Sequence, residues 1–222
     1  MTAHADIVTE AAVVGLTLVG HFHPEIDDKF LQGQRTLVLL GAAGPELWKS
    51  FRQSPEAHDG EPHPMDRWSE RVITRMAERL GAKPYFPFGG PPWVPFQKWA
   101  EAGEGAQQSP VVLQVSTARG LWVSYRGALG FATQIELPKT ETSHPCTNCA
   151  AKPCLTACPA SALMEGKYDV PSCVAYLRSN PQATCHNGCR VRSSCPASAN
   201  IRLPAAQRRF HMNAFLRAQK GS

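Results

Sequence analysis

Apolar positions recur at helical spacing in Asp6–Gly20, where Ile7, Ala11, Val14 and Leu18 form one stripe and predict an opening helix. Arg35–Ala42 contains the run Thr36-Leu-Val-Leu-Leu40 and reads as a buried strand. Pro45 suits the first turn of a short helix through Phe51, and the polar Gln53–Pro64 reads as a loop. The clearest pattern is Pro64–Leu80. Met65, Trp68, Val72, Ile73, Met76, Ala77 and Leu80 line one face, charged residues take the others, and Gly81 supplies the stop.

The pattern then changes character. Lys83–Trp99 packs five prolines, two glycines and six aromatics into seventeen residues, so most of it is expected to be irregular. Gly89 and Gly90 allow close approach of a backbone, and with Phe88 they suit the edge of a flat organic cofactor. The competing reading is a stiff loop whose aromatics plug into the core. Pro110–Phe131 alternates and predicts a hairpin. Leu121, Val123 and Tyr125 fall on one face of its second strand, Trp122, Ser124 and Arg126 on the other. An arginine in an apolar strand needs a partner. A ligand carboxylate, phosphate or amide would serve, as would Glu136 or solvent at a sheet edge. Trp122, Tyr125 and Arg126 thus join Phe88, Gly89 and Gly90 as candidate cofactor-binding residues. Leu137–Pro145 reads as a linker, Pro171–Leu177 as the start of a helix with Cys173 near its N-terminus, and Ala205–Lys220 as a helical tail.

All eight cysteines lie between Cys146 and Pro196. The first four read Cys146-Thr-Asn-Cys149-Ala-Ala-Lys-Pro-Cys154-Leu-Thr-Ala-Cys158-Pro159, and Cys195 is again followed by proline. This spacing resembles the bacterial ferredoxin run, with one longer gap before the third cysteine. In two-cluster ferredoxins the cysteine before the proline serves the other cluster. The same crossing here predicts one [4Fe–4S] cluster on Cys146, Cys149, Cys154 and Cys195, and a second on Cys158, Cys173, Cys185 and Cys189. A partition that keeps each tetrad on its own cluster is the alternative. Four disulfides, two zinc sites, or one cluster with four idle cysteines also fit the count. Against zinc, only one Cys-x-x-Cys knuckle occurs. His186, among these ligands, reads as a surface residue.

Charge is uneven. Residues 141–222 hold ten Lys/Arg against three Asp/Glu, a formal +7, while residues 1–140 hold thirteen against fifteen. Clusters with four thiolates each are anionic and offset part of that excess. Arg190 and Arg192 stand where cations raise a cluster's potential, unless they are simply solvated. Apart from Arg208-Arg209-Phe210 there is no basic run with interleaved aromatics, so a nucleic-acid partner is not expected. No apolar run spans a bilayer, and Asp6 and Glu10 in a start without basic residues argue against a signal peptide. A soluble cytoplasmic protein with no membrane partner is expected.

The cysteine segment, with Cys173-Val-Ala-Tyr-Leu177 and Cys195-Pro196, resembles the double-cluster module of epoxyqueuosine reductases and corrinoid-dependent reductive dehalogenases. Upstream, Phe86-Pro-Phe-Gly-Gly-Pro-Pro92 and Gly120-Leu-Trp-Val-Ser-Tyr-Arg-Gly127 are similar to small bacterial ferredoxin-like proteins and to the cobalamin-processing flavin-reductase-like domain. The resemblance implies an α+β fold. A nitroreductase-like antiparallel sheet with flanking helices would occupy residues 1–140, a two-cluster ferredoxin-like module 141–203, and a helix docking on the N-terminal domain 204–222. It further implies two [4Fe–4S] clusters passing electrons, from a redox partner protein or small-molecule reductant, to a cobalamin held by the N-terminal domain. A plain ferredoxin-type carrier without an organic cofactor is the alternative, as is an epoxyqueuosine-type enzyme. The latter lacks its upstream catalytic Asp here, since none occurs between Asp66 and Asp169, and would need Glu101 or Tyr125 as its acid.

Overall fold

The computed structural model describes residues 4–25, 28–138 and 143–219. Lys139–Thr142 of the expected linker and Lys220 of the tail lie outside them. In chain order the regular elements are α1 (His4–Val13), β1 (Thr17–Phe22), β2 (Thr36–Gly41), α2 (Glu46–Arg52), α3 (Pro64–Leu80), β3 (Lys83–Tyr85), α4 (Phe96–Glu104), β4 (Gln107–Gln108), β5 (Gln114–Val115), β6 (Tyr125–Phe131), β7 (Leu163–Met164), β8 (Lys167–Tyr168), α5 (Val170–Ser179), α6 (Arg190–Ser194) and α7 (Ala205–Ala218). The class is α+β, with small antiparallel sheets. No helix among the described residues is long and apolar enough to cross a membrane.

The chain forms two compact units, Met1–Ala106 with Ser124–Thr142, and Gln107–Val123 with Ser143–Ser222. The division expected near residue 140 is therefore interrupted, because 107–123 groups with the cysteine segment.

The first unit is built on an antiparallel sheet in the order β1-β2-β6-β3. β2 is buried at every position, as its apolar run predicts. Pro84 sits on edge strand β3, where its missing N–H costs least. Leu37, Leu39 and Ala128 pack against Phe96, Trp99 and Ala100 of α4. The opposite face meets α3, where a Cβ on Gly127 would come within 2.7 Å of Ile73. α3 has the bounds its periodicity predicts and ends on Gly81 with φ 64°.

Two expected elements differ. The opening helix stops at Val13, because Gly15 turns at φ 73° and Leu16–Val19 continues into strand. A Cβ there would lie 2.5 Å from the Glu46 carbonyl oxygen, so this turn needs glycine. The Pro110–Phe131 hairpin does not form. Gln114–Val115 pairs with Gln107–Gln108, while Tyr125–Phe131 pairs with β2 and β3.

One ion pair makes a pH prediction. Arg71 donates to both Glu56 carboxylate oxygens at 2.5 and 2.9 Å and holds that carboxyl down to about 2, from an ordinary 4.5. A depressed folded pKa contributes stability above pH 4.5 and loses it as pH falls toward 2. Glu56→Gln is expected to cost about 1–2 kcal/mol in urea melts at pH 7 and almost nothing at pH 2. The cost stays below the full shift because a third of the Arg71 side chain remains in water.

The second unit is loop-rich. β4 and β5 form one ribbon, β7 and β8 a second, and a bridge joins Ser116 to Gly120. Asp169 caps α5 by accepting from the Ser172 N–H at 3.0 Å. α7, expected on the N-terminal domain, groups with this unit and packs on the 3-10 turn Thr184–Asn187.

Candidate metal centre

The apolar centre of the second unit consists of Val111, Val115, Leu121, Leu163 and Val191 together with Cys154. Cys146, Cys158, Cys189 and Cys195 pack against it. The deepest positions are aliphatic, and of the cysteines only Cys154 is buried while the others are half-buried around them. All eight are free thiols.

Four of them line one hollow, and electrostatic coupling links the other four. Cys146 sits in a turn fixed by Cys149 N–H donating to its carbonyl at 3.3 Å and by its own N–H donating to His144 Nδ1 at 3.3 Å. Lys152 adopts a left-handed backbone, φ 38°, and starts the 3-10 turn Pro153–Leu155 that buries Cys154. Cys195 arrives from far along the chain, between α6 and the turn Pro196–Ser198. Burial pushes the Cys146 thiol up, and the charges of Cys195, Cys154 and Cys149 push it further while Lys152 opposes. Cys154 is raised by burial and by Cys195 and Cys149. Cys146, Cys149, Cys154 and Cys195 line one hollow with Pro110, Val115, Leu121 and Ser109. Ser109 is buried, and its hydroxyl has no hydrogen-bond partner among the described residues.

The other four form the second group. Burial pushes the Cys173 thiol up to about 11, with Cys189, Cys158 and Cys185 adding to the rise and a hydrogen bond from Tyr168 opposing it. Cys185 is raised by burial and by the charges of Cys189 and Cys158, against a hydrogen bond from the Arg190 backbone. Cys158 Sγ accepts the Ala162 N–H at 3.3 Å.

Thiols in fours are the donor type of a structural zinc site and of an iron–sulfur cubane alike. Four crowded thiols resist becoming four thiolates unless a cationic centre compensates, and the irons of a cluster supply that charge. Among the described residues no three His, Cys, Asp or Glu side chains form a group that could hold a single metal ion.

Of the two arginines singled out from sequence, only Arg192 lies inside. It donates to the Leu121 carbonyl; burial lowers its pKa, while the charges of Cys189 and Tyr168 act to raise it. Arg190 is exposed and donates to Thr184 Oγ1 at 3.3 Å. His186, read as a surface residue, is half-buried, its Nε2 lying 3.1 Å from the Leu177 carbonyl oxygen and 3.2 Å from that of Asn180 at the end of α5. Tyr168 and Ser109 were not legible as site residues, since neither belongs to a spacing pattern.

The candidate cofactor residues fall in both units. Trp122 belongs to the second. Phe88, Gly89, Gly90, Tyr125 and Arg126 belong to the first. Phe86 and Phe88 stack with centroids 5.3 Å apart, and Gly89 is exposed with φ 83°. Gly90 is approached by its own loop, since a Cβ there would lie 2.9 Å from the Trp93 ring. Tyr125 donates to Glu104. Arg126 pairs with Asp66 at 3.3 Å, a partner the sequence reading did not name, and burial lowers its pKa.

Comparison with protein-family profiles, curated proteins and solved structures finds no match for this chain.

Proposed function

We propose that this chain is an iron–sulfur electron-transfer protein carrying two [4Fe–4S] clusters. One would be held by Cys146, Cys149, Cys154 and Cys195, the other by Cys158, Cys173, Cys185 and Cys189. What supports the reading is that five of the eight cysteines, Cys146, Cys154, Cys158, Cys189 and Cys195, belong to or pack on the one apolar core of this unit, while Cys149 lines a hollow with Cys146, Cys154 and Cys195 and Cys173 and Cys185 feel the charges of Cys158 and Cys189. A bound cluster supplies one-electron chemistry. The chain's own contribution is the setting. Val115, Leu121 and Val191 limit water, Tyr168 donates toward the Cys173 sulfur, and half-buried Arg192 places a cation beside Cys189. Hydrogen bonds and cations near cluster sulfur favour the reduced state.

Protein purified without oxygen is expected to hold about eight irons and about eight acid-labile sulfides per chain, two cubanes' worth, and to bleach with dithionite. Zinc without sulfide overturns the reading.

Delivery of electrons to a corrinoid is a second reading. The stacked Phe86 and Phe88 beside exposed Gly89 favour it, because they offer a flat apolar surface on a proline-stiffened loop. Mixing cobalamin with the anaerobic protein is expected to shift the corrinoid absorbance. An unchanged spectrum removes the corrinoid and leaves a plain carrier.

A further inference from the structure

Three guanidiniums meet one turn of the second unit, and a fourth, Arg178, stands on the preceding helix α5. Arg208 Nε donates to the Asn187 carbonyl at 3.1 Å. Arg209 donates through Nε and Nη2 to Asn187 Oδ1 at 3.0 and 2.7 Å. Arg190 reaches Thr184 Oγ1, and Arg178 on α5 reaches the Gln219 carbonyl at 3.2 Å, just past α7. The turn they surround, Thr184–Asn187, contains Cys185 of the second group. Gly188, at its end, is buried under Arg208, whose Cβ would stand 3.0 Å from an added Cβ. These arginines are held in place.

What holds them is neutral. Among the described residues no carboxylate pairs with any of the four. The unit's described acids are Glu165 and Asp169, and Asp169 pairs with Lys167 at 3.3 Å. Arg178, Arg190 and Arg209 are exposed. Guanidiniums oriented by amide and hydroxyl oxygens keep their full charge and N–H groups free for an incoming carboxylate. Solvated charge scattered over a surface does not share anchors in this way.

Resting on the electron-transfer reading, we propose that the arginine-rimmed turn Thr184–Asn187 is the docking face for an acidic one-electron donor protein, and that electrons enter through the cluster of Cys185. A flavin hydroquinone on the donor would give up one electron, becoming the semiquinone, and the cluster that Cys185 would help hold would take it up; no atom passes between the proteins. Small, charge-steered and short-lived contacts suit such encounters. A protein is favoured over a nucleic acid because unpaired nucleotides bind through stacking on exposed aromatics, and no aromatic side chain is exposed among the described residues of this unit.

The test is anaerobic stopped-flow reduction of the cluster-loaded chain by an acidic flavodoxin in its hydroquinone form. The wild-type rate is expected to fall as salt rises. Arg209→Glu and Arg190→Glu are each expected to slow it severalfold at low salt and to flatten its salt dependence, while Arg209→Lys stays near wild type. Reduction by the methyl viologen radical cation, which needs no acidic docking, is expected to be unaffected in all three. Charge-reversed variants that react with flavodoxin at the wild-type rate overturn the proposal. So do variants slowed equally with viologen, or variants that lose retardation of a single-stranded RNA while keeping the flavodoxin rate. A chain that purifies without iron and sulfide instead overturns the electron-transfer reading itself.

Discussion

Replacing Cys158 with alanine is expected to deplete the same cluster as replacing Cys173, Cys185 or Cys189, and to spare the one that Cys154→Ala removes. Cys158 is only four residues from Cys154, so the result separates chain proximity from folded geometry. Cys154 is raised by Cys195 and Cys149, whereas Cys158 acts on Cys173 and Cys185. Each cubane needs four thiolates, and removal of one leaves an iron without its sulfur ligand. Cys154→Ala and Cys158→Ala should each halve the iron per chain. Electron paramagnetic resonance of the reduced proteins should show two different residual signals. The double variant should hold almost no iron. A shared residual signal would assign both cysteines to one cluster and restore the tetrad-by-tetrad partition. Unchanged iron in every variant would remove the clusters altogether.

The Cys158-Pro159 and Cys195-Pro196 pairs are the sequence signal for the crossed partition, which the alanine variants test. α3 is legible for a local reason. Its apolar stripe, Pro64 in the first turn and Gly81 at φ 64° all act within one element. The failures share a cause of the opposite kind. Alternation in Leu121–Phe131 announces a strand and says nothing of its partner. Tyr125–Phe131 pairs with residues nearly ninety positions away in β2, not with its neighbour in sequence. Tyr168, Arg192 and Ser109 become site residues only because β8, α6 and the turn at Ser109 pack round the cysteines. Arg126 gained a partner, Asp66, from the first turn of a helix that the sequence showed without showing its place.

The unit's second dependence is steric. Gly120→Val is expected to destabilise the protein by about 3 kcal/mol, the sum of overpacking and a left-handed backbone forced on a β-branched residue, and to lose the iron of the first cluster preferentially. Gly120 sits at φ 53°, and a Cβ there would stand 2.2 Å from Ser198 Oγ and 2.5 Å from Ser198 N. Ser198 is the clasp of this region. Its hydroxyl accepts the Leu121 N–H at 3.0 Å, it donates to the Arg119 carbonyl at 3.3 Å, and its own N–H donates to the Cys195 carbonyl at 2.9 Å. Displacing Ser198 therefore moves the ligand that reaches the first group from farthest along the chain. Gly166→Val is the control. That glycine is also left-handed, at φ 68°, but nothing lies within 4 Å of its added Cβ. It should cost only the backbone strain, about 1–2 kcal/mol, and keep the full iron content. Thermal melts with iron analysis on both variants separate conformational strain from contact. Equal losses in the two would mean that the 116–120 loop does not brace the Cys195 turn.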